Sequence, residues 1–451
     1  MPYPPDLFAE AAEVVERAAP LVELDVRVRD LLAALRYDTP PDAVVAGRDL
    51  ANRAALLRAA AGFTRVFQLP SVDAPGLVFF GAEVEGSLVA ADGQVRQRIG
   101  VSGAGLSARQ AFEGCIGEGV EWLSQLETGR DPLLRGRPAA YLRALAPLTA
   151  EAVEDLLHHA NLSLDQNIDW ILATRLSDGC ETALPADVCL RRDRTRRAFT
   201  PPFPLSIGCS AGMSFETAVL RGLLEVIERD AACLWWRGGS RGRLLRLESD
   251  AYAQVGYQLA QLRRDGPSRP SWVLDITTDL GVPCAAAISQ AAQGSGFCCG
   301  IAARPRIAQA AQAAVLEMCQ AELALRVVEM KRRQRGEDAL NDVDREHEIR
   351  ATKIDTRSCA LLQPLPPDAV SADCATDEPQ DLLRLLVARL ADRGIDTFAV
   401  DLSRLSFGIP VAQVLCPALE REPAEFGGVR LHATVARTGG GHVYTGGIAL
   451  M

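Results

Sequence analysis

Two hydrophobic periods run through the chain. Residues 5–60 are rich in Ala and Leu at helical spacing, with a break at Tyr37-Asp38-Thr39-Pro40-Pro41, where two prolines remove backbone donors. Beyond it, short continuous apolar runs alternate with longer segments of helical period. The runs at 76–80, 272–276, 284–288 and 397–400 predict strands buried on both faces. The spacing predicts helices over 107–127, 214–235, 306–334 and 378–393. This alternation predicts a mixed α/β (α+β) protein with mixed sheets and long helices. Residues 331–350 are dense in charge and poor in apolar positions, and read as a solvated helix end and loop. The glycine-rich tail from Gly439 to Met451 reads as exposed. The expected organisation is a helical segment over 1–60, a main domain over 61–430 and a tail over 431–451.

One pattern recurs. The segment AGLSARQAFEGCIGEGVEW from Ala104 aligns without a gap on AGMSFETAVLRGLLEVIER from Ala211. Ala104, Gly105, Ser107, Ala111, Glu118 and Glu121 fall opposite Ala211, Gly212, Ser214, Ala218, Glu225 and Glu228. A third segment, from Ala303, fits more weakly and puts Ala310, Glu317 and Gln320 at corresponding positions. In the first two copies a small-residue loop leads to a serine placed to cap a helix. About three turns later two carboxylates share one helix face. Their neighbours are apolar: Cys115, Ile116, Val120 and Trp122 around the first pair, Leu223, Leu224, Val226 and Ile227 around the second. Unpaired carboxylates in such surroundings cost several kcal/mol. A shared hard cation would offset that. Oxygen ligands favour Mg²⁺, which is usually held together with substrate phosphates. The bland alternative is a solvated helix face, and two gapless copies plus a third E-x-x-Q weigh against it. Arg229 can pair with Glu225 one turn back or reach a phosphate.

Charge and composition narrow the picture. The net charge of −10, from 48 basic and 58 acidic residues, argues against a general nucleic-acid binder. The only lysines are Lys331 and Lys353, and neither sits in a G-x-x-x-x-G-K-[ST] context, so an ordinary P-loop is absent. The stretches 100–105 and 206–212 could still hold phosphate through backbone N–H groups at a helix start. There is no apolar run long enough to span a membrane and no secretion signal, so a cytoplasmic protein with reduced cysteines is expected. His158, His159, His347, His432 and His442 lie outside any nucleophile-elbow or H-E-x-x-H context and are expected to be structural or solvated.

The same residues carry a resemblance. SIGCSAGMSFETAVLRGLLEVIERD, from Ser206 to Asp230, resembles the small-residue loop and E-x-x-E-R-D helix of the YcaO family. LDITTDLGVPCAAAIS at 274–289, ARPRIAQAAQAAVLEMCQ at 303–320 and DLSRLSFGIPVAQVLCPALE at 401–420 are similar to further family blocks. GFTRVFQLPSVDAPGLVFFG at 62–81 resembles the entry segment more loosely. The resemblance implies a YcaO-like fold over 61–430 and ATP- and Mg²⁺-dependent activation of a peptide backbone amide. The γ-phosphate goes to the amide oxygen; a Cys, Ser or Thr side chain then gives an azoline, sulfide a thioamide, an amine an amidine. It implies metal ligation by Glu118, Glu121, Glu225, Glu228 and Glu317. Ser206, Ser210, Gly212, Glu216, Arg229 and Gln320 would line the nucleotide, with Arg229 and Glu228 catalytic.

It further implies a ribosomally made precursor peptide as substrate, as in bacteriocin biosynthesis. A leader-peptide-binding or TfuA partner protein and a homodimer are expected with it. The chain departs from the family pattern at several positions. Ala104 stands between two glycines where a lysine is common, and Trp122 follows Glu121 where an arginine is common. Met213 and Thr217 replace an asparagine and a glutamate, and the ending GGGHVYTGGIALM is not proline-rich. These departures leave the product open. They also keep an alternative, a non-catalytic YcaO-like scaffold or peptide-binding subunit.

Overall fold

Strand β1 (Pro2–Tyr3) and helices α1 (Pro5–Arg17), α2 (Val26–Leu35) and α3 (Ala46–Gly62) open the chain. Strands β2 (Arg65–Gln68), β3 (Val78–Glu85) and β4 (Arg98–Gly105) lead into α4 (Ala108–Gln125). β5 (Leu133–Pro138), β6 (Asn167–Arg175), β7 (Glu181–Pro185) and β8 (Cys209–Ala211) precede α5 (Phe215–Trp236). Then come β9 (Arg243–Leu245), α6 (Ala253–Arg263), β10 (Ser271–Asp275), β11 (Cys284–Ser289) and β12 (Cys298–Ala303). They are followed by α7 (Ile307–Arg335), α8 (Asp342–Lys353) and α9 (Pro379–Ala391). β13 (Phe398–Asp401), β14 (Val411–Leu415), α10 (Val429–Thr438) and α11 (His442–Thr445) end it. This computed structural model describes residues 2–17, 24–38, 46–89, 97–138, 165–267, 269–291, 294–366, 371–424 and 427–450, with a few isolated positions between 140 and 163.

The strands form three sheets, ordered β1-β2-β3-β4, β12-β11-β10-β9 and β5-β6-β13-β14-β8, with β7 on β6. All named strands pair antiparallel. The mixed α/β fold expected from the alternating periods is present, and the four expected long helices lie within two residues of their predicted limits. The first expected strand runs later, over Val78–Glu85, because Leu77 is spent in a turn back to the Ala74 carbonyl. The prolines of the expected break lie outside the described residues; α2 ends just before it, with Arg36 in the left-handed region. Phe8, Leu32 and Leu57 of the N-terminal helices share one buried cluster with Phe80, Phe112 and Val411, so those helices are packed into the fold.

The sequence repeat is three strand–helix units: β4–α4, β8–α5 and β12–α7. Ser107 and Ser214 cap their helices as expected, accepting from the N–H groups of Gln110 and Thr217, each at 3.2 Å. Each such cap contributes about 1 kcal/mol. The third helix starts after Arg306 without a side-chain cap, which is why its sequence fits more weakly. Strand and helix press close together. A Cβ on Gly103 would fall 2.2 Å from the Ala111 carbonyl oxygen, and one on Gly300 2.3 Å from that of Ala314.

Two expectations are corrected. Residues 331–335 do end α7, but the loop expected to follow is confined to 336–341 and gives way to a further helix. α8 forms there, begun by a capping box at Asn341 and Asp344 and tied to α7 by Lys331–Asp344 and Arg332–Glu348 pairs. Caps and ion pairs hold this helix, so it carries no apolar stripe to read. The tail is not simply exposed either. Gly441 lies against the Trp236 carbonyl, Trp236 Nε1 donates to the Ile448 carbonyl, and the N–H of Leu450 donates to Glu422 at 3.2 Å. Among the described residues no helix is long and apolar enough to cross a membrane.

Candidate active site

In each unit the strand is the last in its sheet, so every second residue turns its N–H and C=O away from the neighbouring strand. Such edge groups need partners. The repeated acids supply them. Glu118 on α4 accepts from the N–H of Ser102 at 2.7 Å and Glu317 on α7 from Ile301 at 2.8 Å, while Glu225 on α5 accepts from Gly208, just before β8, at 3.1 Å. The first acid of each copy thus binds its own unit. The second, one turn on, reaches the next unit. Glu121 accepts from Ala211 at 2.7 Å, and Glu228 accepts from Ala303 at 3.2 Å. Gln320 closes the circle by donating to the Ser102 hydroxyl at 2.9 Å.

A cavity of about 820 Å³ opens on this ring, lined by Ser102, Glu118, Glu121, Ser206, Glu317 and Gln320. Glu118, Glu121 and Glu317 each leave a second oxygen with no hydrogen-bond partner among the described residues. Glu225 and Glu228 direct an oxygen toward the Arg229 guanidinium instead, at 3.5 and 3.7 Å. Arg229 Nε is buried and has no partner among the described residues. Solvent reaches Glu118 through the cavity, while the rest of its surroundings are protein. Burial raises all five carboxyls, Glu118 to about 7 and Glu121 and Glu228 to about 8. The strand N–H groups and Arg229 oppose this only in part. A site that crowds carboxyls this way has spare affinity for a cation.

The other expected site residues divide. Ser210 spends its hydroxyl on the Ala218 carbonyl at 2.6 Å. Gly212 permits the close strand–helix approach, since a Cβ there would fall 2.5 Å from the Ala218 nitrogen. It lines a separate, smaller hollow beside Met213 and Arg221. Glu216 is exposed on the first turn of α5, outside the large cavity. The structure adds residues the sequence did not suggest. Arg191 lines the cavity, its Nε donating to Gln125 at 3.0 Å, and so do Trp122, His347 and Arg350. Arg191 sits in a charged stretch without period, and His347 and Arg350 sit on the unexpected α8. His347 is thus neither solvated nor remote; burial and Arg350 push its imidazole down to about 4. His432 and His442 are exposed, as expected of solvated residues, and His159 lies outside the described residues.

The family model described as YcaO cyclodehydratase, ATP- and Mg²⁺-binding, matches residues 102–420, from within β4 to just past β14, the neighbour of β8 in the second unit's sheet. The chain belongs to the YcaO family. Solved structures agree on the YcaO fold. A heterocyclase in complex with substrate and cofactor is similar with a TM-score of 0.64 at 22% identity, over 83% of this chain and 52% of that one. YcaO from Methanopyrus kandleri, bound with AMPPCP and Mg²⁺, is similar with a TM-score of 0.56 at 18% identity, over 86% and 90%. The E. coli microcin synthetase McbBCD complex gives 0.60 at 15%, over 79% and 88%. The chain spans about half the length of that heterocyclase and of the heterocyclase TruD, which it also resembles in fold. No curated protein matches it.

The residues present fit the ATP and Mg²⁺ of the YcaO description. Every candidate ligand is a carboxylate or amide oxygen, the donor type Mg²⁺ selects, and three of the acids keep an oxygen open to the cavity. Among the described residues no three acidic, Cys or His side chains converge closely enough to enclose a metal without further ligands. Phosphate oxygens are such ligands, and Mg²⁺ is commonly held between them and one or two carboxylates.

Proposed function

We propose that residues 61–430 use ATP and Mg²⁺ to activate a backbone amide of a ribosomally synthesised peptide, giving an azoline, thioamide or amidine. The observation that carries this reading is the closed ring of acids, with Glu118, Glu121 and Glu317 lining the large cavity and Glu225 and Glu228 turned to Arg229. ATP supplies the phosphoryl group that turns the amide oxygen into a leaving group. Glu118, Glu121, Glu225, Glu228 and Glu317 hold the metal. Arg229, with one buried nitrogen unspent, fixes the inner acids and faces phosphate. Gln320 and Ser206 border the nucleotide, while Ser210 and Gly212 shape the loop behind it. Trp122 and the α8 side chains limit water in the cavity. This division of labour is positioning plus charge neutralisation, which suits phosphoryl transfer. A leader-peptide-binding or TfuA partner delivers the peptide, and the enzyme works as a homodimer.

The test mixes the protein, ATP, Mg²⁺ and the peptide encoded beside its gene. Phosphate release should accompany a mass change in the peptide. Loss of water marks an azoline, and exchange of oxygen for sulfur marks a thioamide. With the partner proteins added, full activity of a Glu228→Gln chain would overturn the reading and favour a scaffold role.

A further inference from the structure

The outward backbone groups of β4 are used unevenly. Odd-numbered residues face β3: the N–H of Gly86 donates to the Gln97 carbonyl, and the register pairs Ile99 with Val84 and Val101 with Ala82. Even-numbered residues therefore turn to the free edge. At the deep end of that edge the Ser102 N–H is taken by Glu118. One step outward, the N–H and C=O of Gly100 have no partner among the described residues. Gly100 is exposed, and a Cβ built on it would meet nothing within 4 Å. The approach to this edge is open.

The edge is also one wall of the cavity. Gln97, Ile99, Gly100 and Ser102 line it. The adjoining wall, joined by the Gln320–Ser102 bond, is one face of α7, where Glu317, Gln320, Ala321 and Ala324 recur at helical spacing. Ala321 and Ala324 are small, so no long side chain from these positions crosses the groove between strand and helix. It leads from the exposed Gly100 to the ring of acids.

We infer that an extended segment of the peptide substrate binds here as an added strand on β4, paired with Gly100 and running along α7 toward the ring. The inference rests on the amide-activating reading above. Strand addition takes its affinity from main-chain hydrogen bonds and its selectivity from alternate side chains. It suits an enzyme that reacts with the backbone itself. A strand paired on one side turns every second amide away from β4 and into the cavity.

Gly100→Pro removes the outward N–H while leaving the β3 pairing intact, because that N–H does not face β3. Ala324→Leu narrows the groove by another route. The probe is a synthetic dodecapeptide of alternating Thr and Gly with a central Cys, followed by fluorescence anisotropy. It is made unmodified and in two versions N-methylated on alternate residues, one for each register. AMPPNP–Mg²⁺ binding is measured by calorimetry on the same samples. Either substitution should weaken peptide binding about tenfold, the loss of roughly one hydrogen bond's worth of affinity, with nucleotide binding unchanged. One N-methylated register should lose binding and the other keep it. Equal behaviour of the two registers, or peptide affinity unmoved by Ala324→Leu, overturns strand addition while nucleotide binding stands. Absence of nucleotide binding in the unsubstituted protein overturns the amide-activating reading instead. The N-methyl series uses unsubstituted protein, so it decides the matter even if a variant fails to fold.

Discussion

The side-chain amide of Gln320 on α7 donates to the hydroxyl of Ser102 on β4 at 2.9 Å, across 218 positions of sequence. It is the last link in a cycle begun by Glu121 on Ala211 and Glu228 on Ala303. Each unit therefore holds the edge of the next, and the third holds the first. Removing the bond with Gln320→Ala or Ser102→Ala should destabilise the protein by about 1 kcal/mol. The double variant should lose little more than either single one, because the partners form one bond. Thermal midpoints of the four proteins check this; additive losses would show that the two side chains act separately.

Glu228→Gln should separate folding from nucleotide binding. The amide keeps an oxygen for the Ala303 N–H and removes a carboxyl that burial holds near 8. The thermal midpoint without nucleotide should therefore stay level or rise. Mg²⁺-dependent ATP affinity should fall at least about tenfold, in the range seen when the surroundings of a metal site are altered. Calorimetric titration with and without Mg²⁺ reads the difference.

His347 predicts an acid-sensitive step. Its imidazole is held down to about 4 in the folded protein, by burial first and by the Arg350 guanidinium second, with Asp344 opposing and Lys331 adding. Arg350 donates toward Nδ1 at 3.1 Å, which requires that nitrogen unprotonated. The unfolded imidazole takes up a proton near 6.5. Below that point the unfolded state binds a proton that the folded state refuses. Stability is thus complete above about 6.5 and declines as the pH falls toward about 4. Urea midpoints across this window should slope less in His347→Asn.

Gly300→Ala should be costly for its size. The added methyl would meet the Ala314 carbonyl and the Met318 nitrogen, each at 2.3 Å, so strand or helix must move. Overpacking of this kind costs about 1–3 kcal/mol. The shift also draws Glu317 from the Ile301 N–H. Gly136→Ala, at the bulge in β5 with open space but a positive φ of 59°, separates backbone strain from this crowding. Nucleotide affinity should drop only in the Gly300 variant.

Much was legible before any coordinates. The helical periods placed α4, α5, α7 and α9, and Ser107 and Ser214 marked two starts because a capping hydroxyl is a local device. The gapless alignment of Glu118 and Glu121 on Glu225 and Glu228 located the acids. Apolar periods could not place α8, which has no apolar stripe. Its order comes from the Asn341 capping box and from Lys331 and Arg332 on another helix. Nor could they tie down the tail, whose anchors are Trp236 and Glu422.

The sequence by itself determined which residues repeat, which are acidic and which helices carry them, because spacing along one helix sets which side chains share a face. Only the tertiary structure decided what the acids do. Three sheets place their terminal strands around one cavity, and each edge N–H needs an acceptor. The second acid of a copy finds that need in a different unit, 90 residues away for Glu121 and 75 for Glu228. A periodic pattern reports the face a residue shares. The partner across the cavity is set by the closing of the fold.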